Sequence, residues 1–110
     1  MKTHKPKLLE KDLQKQIIDL GHLYGWRIAH FRPALRQSGH YSTPVGADGA
    51  GWPDLTLVKG RRLIFAEIKA QDGKTSTEQD IWLDCLEKTG ATVFIWKPSD
   101  WDDIQRVLTQ

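Results

Sequence analysis

The sequence has few of the features that would place a protein outside the cytoplasm. Its single cysteine, Cys85, excludes an internal disulfide framework and a zinc site built from several thiolates. No apolar run exceeds four residues, whereas a membrane-spanning helix needs about 20. The first ten residues are charged and contain no apolar segment of the kind that directs secretion. We therefore expect a cytoplasmic protein with no membrane partner.

The composition is that of one globular domain. A chain of 110 residues can bury one hydrophobic core but is too short for two. Its hydrophobic content of 39% and charged content of 27% are typical of folded proteins. We expect residues 1–7 to form a basic, flexible arm and residues 8–110 to form the folded domain.

Charge is distributed unevenly along the chain, although the formal net charge is only +2. Residues 26–75 carry eight Lys and Arg against four Asp and Glu, whereas residues 76–110 carry three against seven. A basic central segment favours a polyanionic partner, and nucleic acid rather than a membrane because no basic amphipathic helix lies there. An ordinary solvated surface has the same balance, so charge alone does not identify the partner.

Hydrophobic periodicity predicts three helices. Apolar residues recur at helical spacing from Leu9 to Tyr24, and Gly25 ends this helix. The sequence from Ser76 to Gln79 has capping-box spacing and opens a second helix, and Ser99 caps the third. The expected inward positions are Trp82, Cys85 and Leu86 in the second helix and Trp101, Ile104 and Leu108 in the third.

Four strands complete the pattern. The segment from Trp26 to Phe31 alternates as a short strand, residues 55–69 form a hairpin, and the segment from Ala91 to Trp96 is a buried strand. Both faces of the hairpin are apolar, so helices should cover the sheet on both sides. The predicted fold is an α/β sandwich around a mixed sheet, in the order α-β-β-β-α-β-α. Residues 32–53 are rich in Gly, Pro and Ser and predict a long loop.

The hairpin brings two acidic residues together. With Gly60 and Arg61 as a two-residue turn, Asp54 lies opposite Glu67 and their Cβ atoms are about 5 Å apart. Two carboxylates at that distance repel by roughly 3 kcal/mol, which favours a neutralising cation or a raised pKa. Lys69 projects from the same face as Glu67 because the two are two residues apart on a strand. An all-oxygen site of this kind suits Mg²⁺ or Mn²⁺.

This constellation, Pro53-Asp54 followed by Glu67-Ile68-Lys69, resembles the PD-(D/E)XK nuclease superfamily. Further motifs resemble its virus-type replication-repair nuclease (VRR-NUC) branch, which is common in phages and bacteria. They are Leu8-Leu9-Glu10-Lys11-Asp12-Leu13-Gln14, Gly51-Trp52-Pro53-Asp54-Leu55, Ala66-Glu67-Ile68-Lys69, Thr77-Glu78-Gln79 and Trp96-Lys97-Pro98. The resemblance covers nearly the whole chain and implies a restriction-endonuclease-like fold in a bacterial or phage-infected cell.

The resemblance also implies a mechanism, that of a metal-dependent endodeoxyribonuclease. A divalent cation, Mg²⁺ or Mn²⁺, would be held by the Asp54 and Glu67 carboxylates, the backbone carbonyl of Ile68 and, directly or through water, Glu10. Lys69 would orient or activate the attacking water. Gln79 would support the site from the next helix. The substrate would be branched or four-way (Holliday) junction DNA, and the protein would be a homodimer.

Four residues are candidate DNA contacts. Arg32 and Arg36 begin the long loop, Trp52 adjoins Asp54 and could stack on a base, and Lys74 lies near a helix start where it could meet a phosphate.

Simpler interpretations remain open for several site residues. A glutamate in a first helical turn, such as Glu10, is normally solvated and favoured by the helix dipole. Gln79 could be only the capping-box partner of Ser76. Asp54 could simply end a turn. The alternative function is a nucleic-acid-binding module that keeps the fold without cleaving, and a third is an accessory protein with a tryptophan-rich partner surface.

Overall fold

A computed structural model describes residues 9–31, 34–35, 41–42 and 46–110. The elements within these residues are α1 (Glu10–Leu23), β1 (Arg27–His30), β2 (Ala34–Leu35), β3 (Tyr41–Ser42), β4 (Leu55–Lys59), β5 (Arg62–Ile68), α2 (Thr77–Lys88), β6 (Thr92–Trp96), a 3₁₀ turn (Pro98–Asp100) and α3 (Trp101–Leu108). The predicted arm, residues 1–7, lies outside the described residues. Within the described ranges, no helix combines the length and apolar character that crossing a bilayer requires.

The main sheet has four strands in the order β1-β4-β5-β6. β1 pairs with β4, and β4 with β5, in antiparallel fashion, whereas β6 is parallel to β5 across the α2 crossover. The chain is therefore a mixed α/β domain, as the order α-β-β-β-α-β-α predicts. One difference lies in the segment predicted as a loop, where β2 and β3 pair as a separate two-stranded hairpin.

The β4–β5 hairpin has the predicted register. Lys59 pairs with Arg62, and the pairing continues to Leu55 opposite Ala66. Gly60 has a φ of 59°, the left-handed conformation that a tight two-residue hairpin turn requires. The register predicted from the turn position is confirmed, and it sets which residues meet at the open end of the hairpin.

One face of this sheet, called here the core face, carries alternate residues of β4 and β5. Its side chains are Leu55, Leu57, Ile64, Ala66 and Ile68, all 2% exposed or less. They form one cluster with Leu13 and Ile17 of α1 and with Ile104 and Leu108 of α3. Trp26, which precedes β1, is buried in the same cluster, and its indole Nε1 donates a hydrogen bond to the Leu108 carbonyl of α3 at 2.9 Å.

The opposite face, called here the α2 face, carries Val58, Leu63, Phe65 and Glu67. Leu83 of α2 and Phe65 of β5 are buried, but Val58 and Leu63 are 40% and 43% exposed. The prediction that helices cover both faces is therefore only half right. A helix about 10 Å wide cannot cover four strands spaced about 4.8 Å apart.

The first helix follows the predicted phase in its interior but not at its ends. Leu13 and Ile17 are fully buried, whereas Leu9 and Tyr24 are exposed. Leu9 is the N-cap and Tyr24 the C-cap, so both lie where the helix leaves the sheet. Gly25 follows with a φ of 87° and ends the helix as predicted.

Two predictions about the second and third helices, the burial of Cys85 and the N-cap residue of α3, are wrong. In α2 the buried residue is Leu83, and Cys85 is exposed, so the expectation that Cys85 is a core residue is wrong. The apolar stripe is centred one position away from the predicted one. The N-cap of α3 is Asp100 rather than Ser99, because the 3₁₀ turn that starts at Pro98 delays the helix.

Candidate active site at the end of the central hairpin

Asp54 lies immediately before β4 and is held by two strands. Its carboxylate Oδ2 accepts a hydrogen bond from the backbone N–H of Ile68 at 2.9 Å. Its backbone carbonyl accepts one from the N–H of Phe31, at the end of β1, at 3.4 Å. The carboxylate is thus fixed across the open end of the hairpin, beside the position where the register predicted that it would meet Glu67.

Glu67 is the buried acidic residue of the α2 face, with only 1% of its surface exposed. Its Oε1 accepts a hydrogen bond from Gln79 Nε2 at 3.0 Å and lies 4.0 Å from Lys69 Nζ. Its Oε2 is buried and accepts no hydrogen bond from the part of the chain that the structure describes. A buried carboxylate oxygen without a partner is costly, so this atom is the strongest indication of a missing ligand or proton.

The electrostatics of the site favour a proton on Glu67 when no cation is bound. Burial raises the pKa of Glu67 to about 9, and the Asp54 carboxylate, close enough to share a proton with it, adds to the shift. The Lys69 ammonium opposes this rise without cancelling it. The pKa of Glu10 is also raised, chiefly by burial and then by the charge of Asp54. Three carboxyl groups therefore act on one another at this end of the sheet.

Glu10 is the first residue of α1 and is half-buried. Glu10 and Asp54 line one surface groove, which lies beside α1. The negative charge of Asp54 raises the pKa of Glu10, and the positive charge of Lys69 lowers it. This placement brings Glu10 beside Asp54, and its role as a metal ligand stays a prediction. The helix dipole also favours a carboxylate at this position.

Gln79 satisfies both of the roles considered for it. Its Oε1 accepts a hydrogen bond from the Ser76 N–H at 2.8 Å, and the Ser76 hydroxyl accepts one from the Gln79 N–H, which completes the predicted capping box. Its Nε2 is then directed to Glu67. One amide therefore connects the start of α2 to the buried carboxylate.

The loop before Asp54 is packed against α2, a connection that the sequence did not reveal. Gly51 has a φ of 86°, and a Cβ there would lie 2.6 Å from the backbone carbon of Glu78. Trp82 Nε1 donates a hydrogen bond to the Asp48 carbonyl at 2.8 Å. Only a glycine fits this approach, so the Gly-Trp-Pro-Asp motif is explained by helix contact as well as by the carboxylate.

Trp52 has a packing role in this structure. Its ring makes edge contacts with Phe65 at 5.5 Å and with Trp82 at 4.9 Å between centroids, and it is half-buried. These contacts hold the loop to the α2 face. The role predicted for Trp52, stacking on a base, is not tested by them.

Three further residues were predicted as DNA contacts. Lys74 is exposed in the segment before α2. Arg32 and Arg36 lie outside the described residues.

The donor set fits a hard divalent cation only in part. In the described ranges, no three His, Cys, Asp or Glu side chains are close enough together to hold a metal ion. Asp54 and Glu67 nevertheless supply oxygen donors at one place, and Glu67 Oε2 has no hydrogen-bond donor there. Mg²⁺ and Mn²⁺ prefer such oxygens and commonly keep several waters with one or two carboxylates, so the pair is compatible with either ion.

Comparison with known proteins adds no family to this description. The chain matches no protein-family model, no curated protein and no solved structure at a significant level. The resemblance to VRR-NUC and PD-(D/E)XK nucleases therefore stays a prediction that depends on the residues quoted above.

Proposed function

We propose that this protein is a divalent-metal-dependent DNA endonuclease that hydrolyses phosphodiester bonds at the Asp54–Glu67 end of the central hairpin. The observation that carries the proposal is Glu67 itself. It is a fully buried carboxylate with one unpartnered oxygen beside a second carboxylate and an ammonium group. Burying such a group lowers stability unless a bound cation or a shared proton compensates it.

The Asp54 and Glu67 carboxylates and the Ile68 carbonyl would hold the cation, and Glu10 would complete its shell directly or through water. When bound, Mg²⁺ or Mn²⁺ lowers the pKa of a water molecule and polarises a phosphate oxygen. Gln79 fixes one oxygen of Glu67 and leaves the other free for a ligand. The backbone hydrogen bond from Ile68 likewise engages one oxygen of Asp54.

Lys69 would supply the positive charge that the reaction needs beside these carboxylates. Its side chain is only 14% exposed, so its ammonium is weakly screened by solvent. Held 4.0 Å from Glu67 Oε1, it can orient the attacking water and stabilise the negative charge that develops on the phosphoryl group.

Branched or four-way junction DNA and a homodimer are narrower parts of the same proposal. Each chain carries one such carboxylate pair, so cutting both strands of a junction requires two copies related by a two-fold axis.

The second candidate is a nucleic-acid-binding module that does not cleave. It is favoured by the absence of a three-ligand cluster among the described residues and by the raised pKa of Glu67. In that case the carboxyl pair would remain stable by sharing a proton.

The test is a cleavage panel on duplex, flap, splayed and four-way junction DNA with Mg²⁺ and Mn²⁺, alongside calorimetric titration of Mn²⁺. We expect cleavage that needs the metal, and we expect Glu67→Gln to abolish both cleavage and tight Mn²⁺ binding. The matched control is Glu78→Gln, which changes an exposed carboxylate in the first turn of α2. DNA binding without cleavage under any metal condition favours the second candidate, and binding of neither Mn²⁺ nor DNA refutes both.

A further inference from the structure

A groove leads away from the carboxylate site between α1 and β1. It has a volume of about 990 Å³, and Glu10 and Asp54 line it together with polar residues of α1 and with His30 and Phe31 of the β1 end. It is therefore continuous with the proposed catalytic site. A substrate held at Asp54 extends into this groove or passes its mouth.

The charge of the groove does not suit a phosphate backbone. Its described lining carries two lysines, Lys11 and Lys15, against four acidic residues: Glu10, Asp12, Asp19 and Asp54. The Lys15 ammonium is also paired with Asp19 at 2.7 Å. Non-specific binding to duplex DNA depends on neutralising its phosphates, and this wall offers little charge for that purpose.

Phe31 offers a different kind of contact in the same groove. Phe31 is 52% exposed, so part of its aromatic ring is accessible to a ligand in the groove. Its backbone N–H bonds to the Asp54 carbonyl, so the residue is fixed next to the carboxylate site. Trp52, the aromatic residue that the sequence favoured for this purpose, is half-buried and packs against Phe65 and Trp82, so Phe31 is the more exposed aromatic residue beside Asp54.

We propose that Phe31 is a specificity-determining residue that stacks on an unpaired base next to the phosphate to be cut. This inference rests on the proposed function. An aromatic face binds any exposed base, whereas a base inside a duplex is already stacked on its neighbours. Among the branched substrates, the site therefore favours flap and splayed DNA, which carry an unpaired nucleotide beside the scissile bond, over continuous duplex and over a fully paired four-way junction.

The experiment compares wild type, Phe31→Ala and Phe31→Trp, with Leu63→Ala as a control. Leu63 is a similarly exposed apolar residue on the α2 face and does not line the groove. Splayed DNA carries 2-aminopurine at each unpaired position in turn. Its fluorescence is read with Ca²⁺ replacing Mn²⁺, and cleavage of splayed and duplex DNA is measured with Mn²⁺.

We expect wild type and Phe31→Trp to quench the fluorescence of 2-aminopurine at one unpaired position of the DNA. In Phe31→Ala this quenching should be lost. In Phe31→Ala, kcat/KM on splayed DNA should fall about 5- to 100-fold, mostly through KM, while kcat/KM on duplex stays unchanged. Leu63→Ala should behave as wild type. Equal quenching and an equal splayed-to-duplex ratio in Phe31→Ala, or a wild type that quenches no position, overturns the inference.

The two proposals fail separately. A wild type that cleaves splayed DNA while Phe31→Ala keeps its preference leaves the nuclease proposal intact and refutes the role of Phe31. A wild type that cleaves nothing refutes the nuclease proposal, and the quench in Ca²⁺ then decides whether Phe31 stacks on a base.

Discussion

The two faces of the central sheet are made by the same alternating strands but are completed differently. The core face is covered by α1 and α3 and buries Leu57 and Ile64 almost entirely. The α2 face is covered at one end only, where Phe65 and the carboxylate of Glu67 are buried, and Leu63 is exposed at the other end.

This difference separates stability from function. Buried apolar area is the main source of stability, and it lies on the core face. A buried carboxylate lowers stability unless a partner compensates it, and that group lies on the α2 face. We therefore expect changes on the core face to unfold the protein and changes on the α2 face to alter ligand binding and pH dependence.

The largest effect on stability should come from breaking the core face. Leu57→Ala leaves a cavity among β4, α1 and α3 and should lower the free energy of unfolding by about 2–5 kcal/mol. Leu63→Ala, on the α2 face, should cost well under half of that because the side chain is already 43% exposed. Urea unfolding followed by circular dichroism measures both. Equal losses for the two variants would mean that the faces do not differ in solution.

Substitutions near Glu67 on the α2 face should change the cleavage rate more than the free energy of unfolding. Lys69→Met removes the ammonium beside Glu67 but keeps the length of the side chain, and it should lower the cleavage rate about 10²–10³-fold. Mn²⁺ and DNA binding should persist, as calorimetry and anisotropy would report. Lys88→Met serves as the control because Lys88 is exposed on α2. Cleavage by Lys69→Met at the wild-type rate would leave Lys69 as a charge neighbour only.

The raised pKa of Glu67 should make the metal-free protein less stable as pH rises. Below about pH 4.5 Glu67 is protonated in both the folded and the unfolded state, and its contribution to the free energy of unfolding is at its maximum. Between about 4.5 and about 9 the folded state keeps a proton that the unfolded state has lost, so stability falls by up to about 1.4 kcal/mol per pH unit. Above about 9 both states have lost it and the dependence ends. The raised pKa of Glu10 acts in the same direction.

The measurement is urea unfolding in a chelator from pH 5 to pH 9, for wild type and Glu67→Gln. Because glutamine does not titrate, the difference between the two curves reports the titration of Glu67 together with its interactions with the neighbouring carboxyl groups. We expect wild type to lose stability relative to the variant as pH rises, and saturating Mn²⁺ to reduce that loss because the cation compensates the same charge. Parallel curves in chelator would show that Glu67 ionises normally in the folded protein.

The pairing of residues at the open end of the hairpin could be predicted because it follows from the number of residues between the turn and that end. A tight turn fixes the register of two strands, so the position of Gly60 was enough to bring Asp54 to Glu67. Gln79 was accessible for a similar reason, since capping-box spacing is local.

The packing around the site could not be predicted in this way. The contact between Gly51 and α2 depends on a positive φ and on how a helix docks, neither of which leaves a periodic signal. The exposed end of the α2 face was misjudged because Val58 and Leu63 are as apolar as core residues. Cys85 was misplaced because a helical stripe read from few apolar residues can be wrong in phase by one position.

The smallest expected effects concern the link between α2 and the site. Ser76→Ala removes the N-cap and should cost about 1 kcal/mol of stability, while the Gln79 side chain can still reach Glu67. Gln79→Ala removes the other half of the capping box and also the hydrogen bond to Glu67 Oε1. It should therefore show a similar loss of stability and, in addition, weaken Mn²⁺ binding, because groups that orient a metal-binding carboxylate typically contribute 10–100-fold to affinity. Unfolding and Mn²⁺ calorimetry on both variants separate the two roles of the amide. If Ser76→Ala weakens Mn²⁺ binding as much as Gln79→Ala does, the effect comes from fraying of the helix, and the hydrogen bond to Glu67 is not what connects α2 to the site.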